Sequence, residues 1–183
     1  MTFLTGGARS GKSSLAVRRA RSTGAPVVLV ATGRADEGDT EMADRIARHR
    51  AERPGNWRTV EEPTELVAAL TDLDLELGAG PGPRPTVVVD CLSLWVSHLM
   101  ARGDDEADTL EQAHALGRWG AAYPGTVLVV TNEVGSGIVP MHPVAREYRD
   151  RLGRVNATVA GYADLAQLVV AGRTLTLDPV EET

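Results

Sequence analysis

Apolar and polar positions alternate between two periods along this chain. Short continuous apolar runs occur at TFLT (2–5), PVVLVAT (26–32), TVVVD (86–90) and TVLVVT (126–131). Such runs, rich in β-branched residues, predict strands buried on both faces of a parallel sheet. Between them lie segments with helical spacing. GKSSLAVRRARS follows the first run, and EMADRIARHRAER is preceded by Asp39 or Thr40 as a cap and ended by Pro54. PTELVAALTDLDLEL reads as an amphipathic helix, CLSLWVSHLM as the start of another, and a further helix lies within DDEADTLEQAHALGRWGAA. PVAREYRDRLGRVNATVAGYAD predicts a long helix, and AQLVVAG with RTLTL predicts two closing strands, paired as a hairpin. GRADEGDT and GAGPGPRP (78–85) read as loops. Alternating strands and helices predict an α/β fold around a largely parallel sheet. At 183 residues, with no repeat, low-complexity tract or linker, residues 1–183 are expected to form a single domain.

Composition narrows the function classes. The net charge is −6 and the sequence pI is about 5.2, which weighs against sequence-independent nucleic-acid binding. No apolar run approaches a membrane span, and the first residues lack the pattern of a signal peptide. A lone cysteine, Cys91, allows no internal disulfide and suits a reducing cytoplasm. Of 19 basic residues only Lys12 is a lysine. Against a strong arginine bias, that points to a task for a compact ammonium that a planar guanidinium cannot perform.

Lys12 lies in GGARSGKS, which fills the pattern G-x-x-x-x-G-K-[ST] with Gly6, Gly11, Lys12 and Ser13. The motif stands between a predicted strand and a predicted helix, where a phosphate-binding P-loop must stand. Its glycines let backbone N–H groups turn onto phosphate oxygens, and the helix directs its positive end at the same anion. Lys12 would reach the β- and γ-phosphates and Ser13 would ligate Mg²⁺. Asp90, ending an apolar strand, suits the carboxylate that holds a water of that ion. The guanine-reading motif N-K-x-D is absent, since Lys12 is committed and TNEV (131–134) has no lysine.

RIARHRAERP (45–54) sets His49 among four arginines. Arg45, His49 and Arg53 share one helical face at i, i+4, i+8. Neighbouring guanidinium groups disfavour the imidazolium, leaving a neutral nucleophile beside groups suited to a triphosphate. Attack on an α-phosphate would expel pyrophosphate and leave a phosphoramidate. From spacing alone, a solvated surface histidine is the better reading. His98 suggests packing, His114 solvation and His142 a loop position; the scattered Trp57, Trp95 and Trp119 form no stacking platform, and Cys91 reads as inert.

LTGGARSGKSSLA, EMADRIARHRAERPGNWRTVEEP, VVVDCLSLWVSHLM and VLVVTNEVGSGIVPMHPVAREYRDRLGRVN resemble, in order, the bifunctional adenosylcobinamide kinase / adenosylcobinamide-phosphate guanylyltransferase family. The combination R-I-x-x-H-R-x-x-R-P-x-x-W with T-N-E-V-G-x-G-I-V-P is the specific part. The resemblance implies a RecA-like P-loop sheet flanked by helices, assembled as a homotrimer. It implies phosphorylation of adenosylcobinamide by ATP or GTP, then GMP transfer from GTP to adenosylcobinamide-phosphate. The guanylylated histidine falls on His49, which reverses the bland reading. GTP-contacting positions fall on Gly6, Gly7, Ala8, Arg9, Ser10, Gly11, Lys12 and Ser13, on Ala31, Thr32 and Gly33, on Arg50, Ala51, Glu52 and Arg53, and on Glu61 and Asp90. A carboxylate at Glu61 could read guanine N1–H and the exocyclic amine. Asp90 or Glu133 could position the hydroxyl phosphorylated in the kinase step. Two other readings stand beside this one: a simple P-loop small-molecule kinase with His49 a bystander, and a RecA-like regulatory or nucleic-acid-dependent ATPase.

Overall fold

The structure is a computed structural model, and it describes residues 1–34, 38, 40–51, 54–78 and 82–180, with the backbone alone at 41, 42, 45, 48 and 49. Thirteen elements follow one another: β1 (Thr2–Thr5), α1 (Lys12–Ser22), β2 (Val27–Ala31), α2 (Thr40–Ala51), β3 (Arg58–Glu61), α3 (Leu66–Gly78), β4 (Thr86–Asp90), α4 (Leu92–Arg102), α5 (Glu106–Ala122), β5 (Val127–Val130), α6 (Pro143–Ala160), β6 (Leu165–Val170) and β7 (Arg173–Leu177). All seven strands join one sheet in the order β3-β2-β4-β5-β1-β6-β7. Every neighbouring pair is parallel except β6–β7, the expected closing hairpin.

The continuous apolar runs are explained by a sheet covered on both faces. Along β4, Val87 and Val89 face one way and Val88 the other, and all three are buried. On the first face Phe3, Val28, Val30, Val127 and Val129 pack with Leu66, Leu70 and Leu73 of α3, Leu92, Trp95, Val96 and Leu99 of α4, Leu116 of α5, and Leu152, Val155 and Val159 of α6. Trp95 is fully buried and its indole N–H donates to the Thr64 carbonyl (2.9 Å), so its polar edge is satisfied. On the second face Leu4, Leu29, Leu128 and Val130 meet Ala16 and Ala20 of α1. Small residues on α1 let that helix approach the sheet closely.

β3 is absent from the elements that periodicity suggests. Arg58–Glu61 has one half-buried side chain, Val60, among exposed ones. Its strand geometry comes from parallel pairing with β2, Val28–Ala31 against Arg58–Glu61, at the edge of the sheet. The pairing aligns the carboxyl ends of the strands. Glu61 pairs with Ala31, Ala31 with Asp90, Asp90 with Val130, and Val130 with Leu4. Residues expected to contact nucleotide therefore share one edge, the edge at which open α/β sheets bind ligands.

Candidate nucleotide site

The turn from β1 into α1 is held from three sides. The Lys12 ammonium donates to the Gly7 carbonyl (3.1 Å) across the loop. The Glu133 N–H donates to the Gly6 carbonyl (3.1 Å), fastening the loop to the chain leaving β5. The Gly172 N–H, in the β6–β7 turn, donates to the Ser10 carbonyl (2.9 Å). Gly6 must be glycine because a Cβ there would fall 2.3 Å from the Val169 carbonyl oxygen and 2.8 Å from Ser10 Oγ. Gly11 caps α1 with φ +98°, and Arg9 also has positive φ (57°). Backbone that winds this way turns successive N–H groups into one concavity, an anion nest, at the positive end of α1.

The cradle has polar groups to spare. Thr5 Oγ1 and Ser10 Oγ are buried without a hydrogen-bond partner in this arrangement, whereas buried polar atoms are ordinarily paired. Lys12 is itself 8 % exposed. A buried ammonium in a loop of amides suits an anionic ligand far better than water. Ser13 follows Lys12 in the first turn of α1.

Asp90 ends β4 and its neighbour Cys91 opens the path into α4. The Cys91 thiol is buried and pushed above its ordinary pKa, chiefly by loss of hydration and next by the Asp90 carboxylate, with Lys12 opposing them. The Lys12 cation and the Asp90 anion thus act in opposite directions on one thiol. The reactivity expected of a thiolate is correspondingly suppressed. Thr32 ties this corner together. Its hydroxyl donates to the Cys91 carbonyl (2.7 Å), accepts from the Cys91 N–H (3.0 Å), and its own N–H donates to the Asp90 carbonyl (3.1 Å). Among the described residues no group of three His, Cys, Asp or Glu side chains forms a metal cage.

Helix α2 carries His49 in its last turn. Two contacts place that helix. A methyl group on Gly33 would lie 3.1 Å from Leu94 Cδ1 and 3.8 Å from Ile46 Cγ1, so α2 packs on the chain just beyond β2. One turn later Arg50 forms an ion pair with Glu61 at the end of β3. Both partners are more than half exposed, so the pair is worth at most about 1 kcal/mol. Ala51 closes α2, while Glu52 and Arg53 lie outside the described residues, as do the side chains of Arg45 and His49.

Other sequence expectations resolve individually. His114 is exposed and its Nδ1 lies 3.0 Å from Tyr162 Oη. His142 is exposed at the N-cap of α6. The Glu133 carboxylate folds its own loop: its Oε1 accepts from the N–H groups of Gly135 (2.6 Å) and Ser136 (3.1 Å). Asn132 was not singled out from the sequence, yet it lies at the heart of this edge. Its Nδ2 donates to Ser93 Oγ (2.8 Å), and Ser93 Oγ lies 2.9 Å from Cys91 Sγ. The stretch T-N-E-V-G-x-G-I-V-P carries the family resemblance, but nothing in it distinguishes Asn132 from its neighbours as a site residue.

Comparison with known proteins agrees with the geometry. The family model described as cobinamide kinase / cobinamide phosphate guanyltransferase matches residues 2–177. The bifunctional adenosylcobalamin biosynthesis protein CobP of Pseudomonas aeruginosa is 40 % identical over 175 residues, covering 96 % of this chain and 95 % of that protein. CobU of Salmonella typhimurium is 40 % identical and CobU of Escherichia coli 38 %, each over 94 % of this chain and 96 % of the relative. Two solved structures share the fold. One is a DnaB-like replicative helicase (TM-score 0.57, 13 % identity, 92 % of this chain, 46 % of that one). The other is an ATPase from the type III secretion system of pathogenic bacteria (TM-score 0.54, 12 % identity, 91 % and 50 %). The fold is therefore a RecA-like P-loop sheet, and the chain belongs to the cobinamide kinase / cobinamide phosphate guanyltransferase family.

Proposed function

We propose that this chain performs both reactions of its family through one triphosphate site: phosphorylation of adenosylcobinamide by ATP or GTP, then guanylylation of adenosylcobinamide-phosphate through His49. The observation that carries the reading is the position of α2. The helix bearing His49 packs through Ile46 against Gly33, at the same sheet edge as the Gly6–Ser13 cradle and Asp90.

The register gives the scale. Glu61 is two strand spacings from Asp90, about 10 Å, and four from β1, about 19 Å. A GTP lying along this edge has its γ-phosphate in the cradle and its base toward β3. Its α-phosphate then falls near the ends of β4 and β2, below α2. Glu61 offers two acceptors to guanine N1–H and the exocyclic amine, a pairing adenine cannot reciprocate. Guanine and Arg50 would compete for that carboxylate. Because the Arg50–Glu61 pair is weak, its exchange frees one tether of α2 at little cost.

Guanylyl transfer then proceeds by two displacements. A neutral His49 nitrogen attacks the α-phosphorus, a P–N bond forms, and pyrophosphate leaves into the cradle. Lys12 and the N–H groups of residues 6–13 neutralise its growing charge. A phosphate oxygen of adenosylcobinamide-phosphate next attacks the same phosphorus. The P–N bond breaks, giving adenosylcobinamide-GDP and free His49. In this reading Arg50 and Arg53 hold the triphosphate, Ala31, Thr32 and Gly33 line the strand end, and Ala51 and Glu52 are further nucleotide-contacting positions. Ser13 and Asp90 would hold Mg²⁺, which fits a site with hard oxygen donors, unpaired buried hydroxyls and a triphosphate supplying the remaining ligands. When bound, that ion supplies charge neutralisation on the phosphates. The reading includes a cytoplasmic homotrimer; the exposed Ile138, Val139, Met141 and Val144 support an assembly.

Incubation with GTP labelled at the α-phosphorus tests the proposal. Wild type should retain acid-labile, base-stable label, and His49→Ala should retain none while still phosphorylating adenosylcobinamide. Equal labelling of both proteins would remove His49 from the mechanism.

A further inference from the structure

We infer that Asn132 is the residue that aims the acceptor hydroxyl in the kinase reaction, an assignment that rests on the bifunctional reading above. Three observations converge on it.

First, the side-chain amide is half-satisfied. Nδ2 donates to Ser93 Oγ, while Oδ1 is buried without a partner. An orphaned buried acceptor is destabilising, a penalty that a ligand's O–H would remove. Second, its aim is fixed. The Asn156 amide donates to the Asn132 carbonyl (3.0 Å), Ser93 holds the side chain, and the Thr131 hydroxyl donates to Asn156 Oδ1 (2.8 Å). Third, it lies beside the phosphate cradle. The Thr131 N–H donates to Leu4 O (2.9 Å) and the Glu133 N–H to Gly6 O (3.1 Å), so the β5–β1 ladder continues past both strands. Residue 132 sits between these two rungs. Glu133, its neighbour, is engaged in its own loop.

An amide oxygen does not remove a proton; it orients one. With Oδ1 accepting from the aminopropanol hydroxyl of adenosylcobinamide, an oxygen lone pair turns toward the γ-phosphorus. The new O–P bond forms, the bond from the γ-phosphorus to the bridging oxygen breaks, and nucleoside diphosphate leaves. The hydroxyl proton passes to a non-bridging oxygen of the transferred phosphoryl group, so the loose transition state requires no separate base. Guanylyl transfer uses no O–H nucleophile: His49 attacks first and a phosphate oxygen second. Asn132 should therefore serve one half-reaction and be indifferent to the other.

The two reactions are assayed separately, with adenosylcobinamide and ATP, and with supplied adenosylcobinamide-phosphate and GTP. Wild-type guanylyl transfer to the supplied phosphate comes first; its absence would defeat the bifunctional reading and not the role of Asn132. Asn132→Ala is expected to lower kinase kcat by about ten-fold or more, with KM for ATP and all guanylyl transfer unchanged. A parallel loss of both activities would assign the amide to the metal or to the loop and overturn the inference, as would an unchanged kinase. Ser93→Ala keeps Asn132 but releases its anchor, and holds the test open should the first variant fail to fold. It is expected to slow the kinase alone, and equal slowing of both reactions overturns the inference.

Discussion

Gly6→Ala puts a methyl group where two atoms already stand, 2.3 Å from the Val169 carbonyl oxygen and 2.8 Å from Ser10 Oγ. Ser10 Oγ can rotate away. The Val169 carbonyl cannot, because it belongs to the backbone of β6, which is paired on one side with β1 and on the other with β7. Either the cradle or the strand must shift. Overpacking of this kind costs about 1–3 kcal/mol. For a chain of this size each kcal/mol lowers Tm by about 2–4 °C, so the fall should be about 2–12 °C. The shift also displaces Gly6 O and Ser10 O, which anchor the loop to Glu133 and Gly172. GTP should therefore lose most of its stabilising effect, which for wild type at a hundred times Kd is about 2.7 kcal/mol. Gly7→Ala is the control, because a methyl group there meets nothing within 4 Å. Its Tm without ligand should stay within about 2 °C of wild type. Thermal melts of the three proteins with and without GTP and Mg²⁺ read both effects. A Gly6→Ala protein that melts like wild type and gains as much from GTP would refute the reasoning.

Two further outcomes follow from the same corner. Glu61→Gln removes the acceptor pair proposed for guanine, a charged hydrogen-bonded contact worth about 1.5–3 kcal/mol, or about 10–150-fold in preference for GTP over ATP; an unchanged ratio of nucleotidyl transfer rates would exclude that role. The raised Cys91 thiol favours the protonated form in the folded state, so its contribution is intact below the ordinary thiol pKa and is lost as pH rises beyond it. Denaturant midpoints should therefore decline from about pH 8.5 upward, and Cys91→Ala should flatten the onset of that decline, with Tyr148, pushed up to about 12, acting only at higher pH. A decline of the same shape in both proteins would show that the thiol is not its source.

The sequence discloses what is local. Buried strands β1, β2, β4 and β5 are continuous apolar runs because the sheet is covered on both faces, and the cradle is a contiguous motif whose glycines are imposed by contacts such as Gly6 against Val169. What it hides is set by pairing between distant segments. β3 carries little apolar signal, since edge pairing with β2 and not burial makes it a strand. Asn132 is a single polar residue after a strand, and only the folding of Ser93, Asn156 and the Gly6 carbonyl around its neighbourhood distinguishes it. Glu133 shows the converse. By residue type it is the better candidate, and its carboxylate is engaged with the N–H groups of Gly135 and Ser136.

One cradle serving two reactions poses a problem of reach that the sheet itself answers. The kinase step needs a nucleophile at the γ-phosphorus, and guanylyl transfer needs one at the α-phosphorus. A rigid site that fixes the triphosphate at Gly6–Ser13 cannot slide it to suit each attack, so the nucleophiles must arrive from different elements. The chain leaving β5 lies beside the cradle through Glu133 N–H to Gly6 O, which places Asn132 at the γ end. Helix α2 lies over the end of β2, two strands farther along the edge, which in the proposed mechanism suits delivery of His49 toward the α end. Asn132 is locked by hydrogen bonds to Ser93 and Asn156, whereas the tether from Arg50 to Glu61 is exposed and weak. That difference suits the chemistry. In the proposed mechanism a hydroxyl need only be oriented by a fixed amide, whereas an imidazole that becomes covalently loaded would have to approach phosphorus and later yield its place to the corrinoid phosphate, a role that a weakly tethered helix suits.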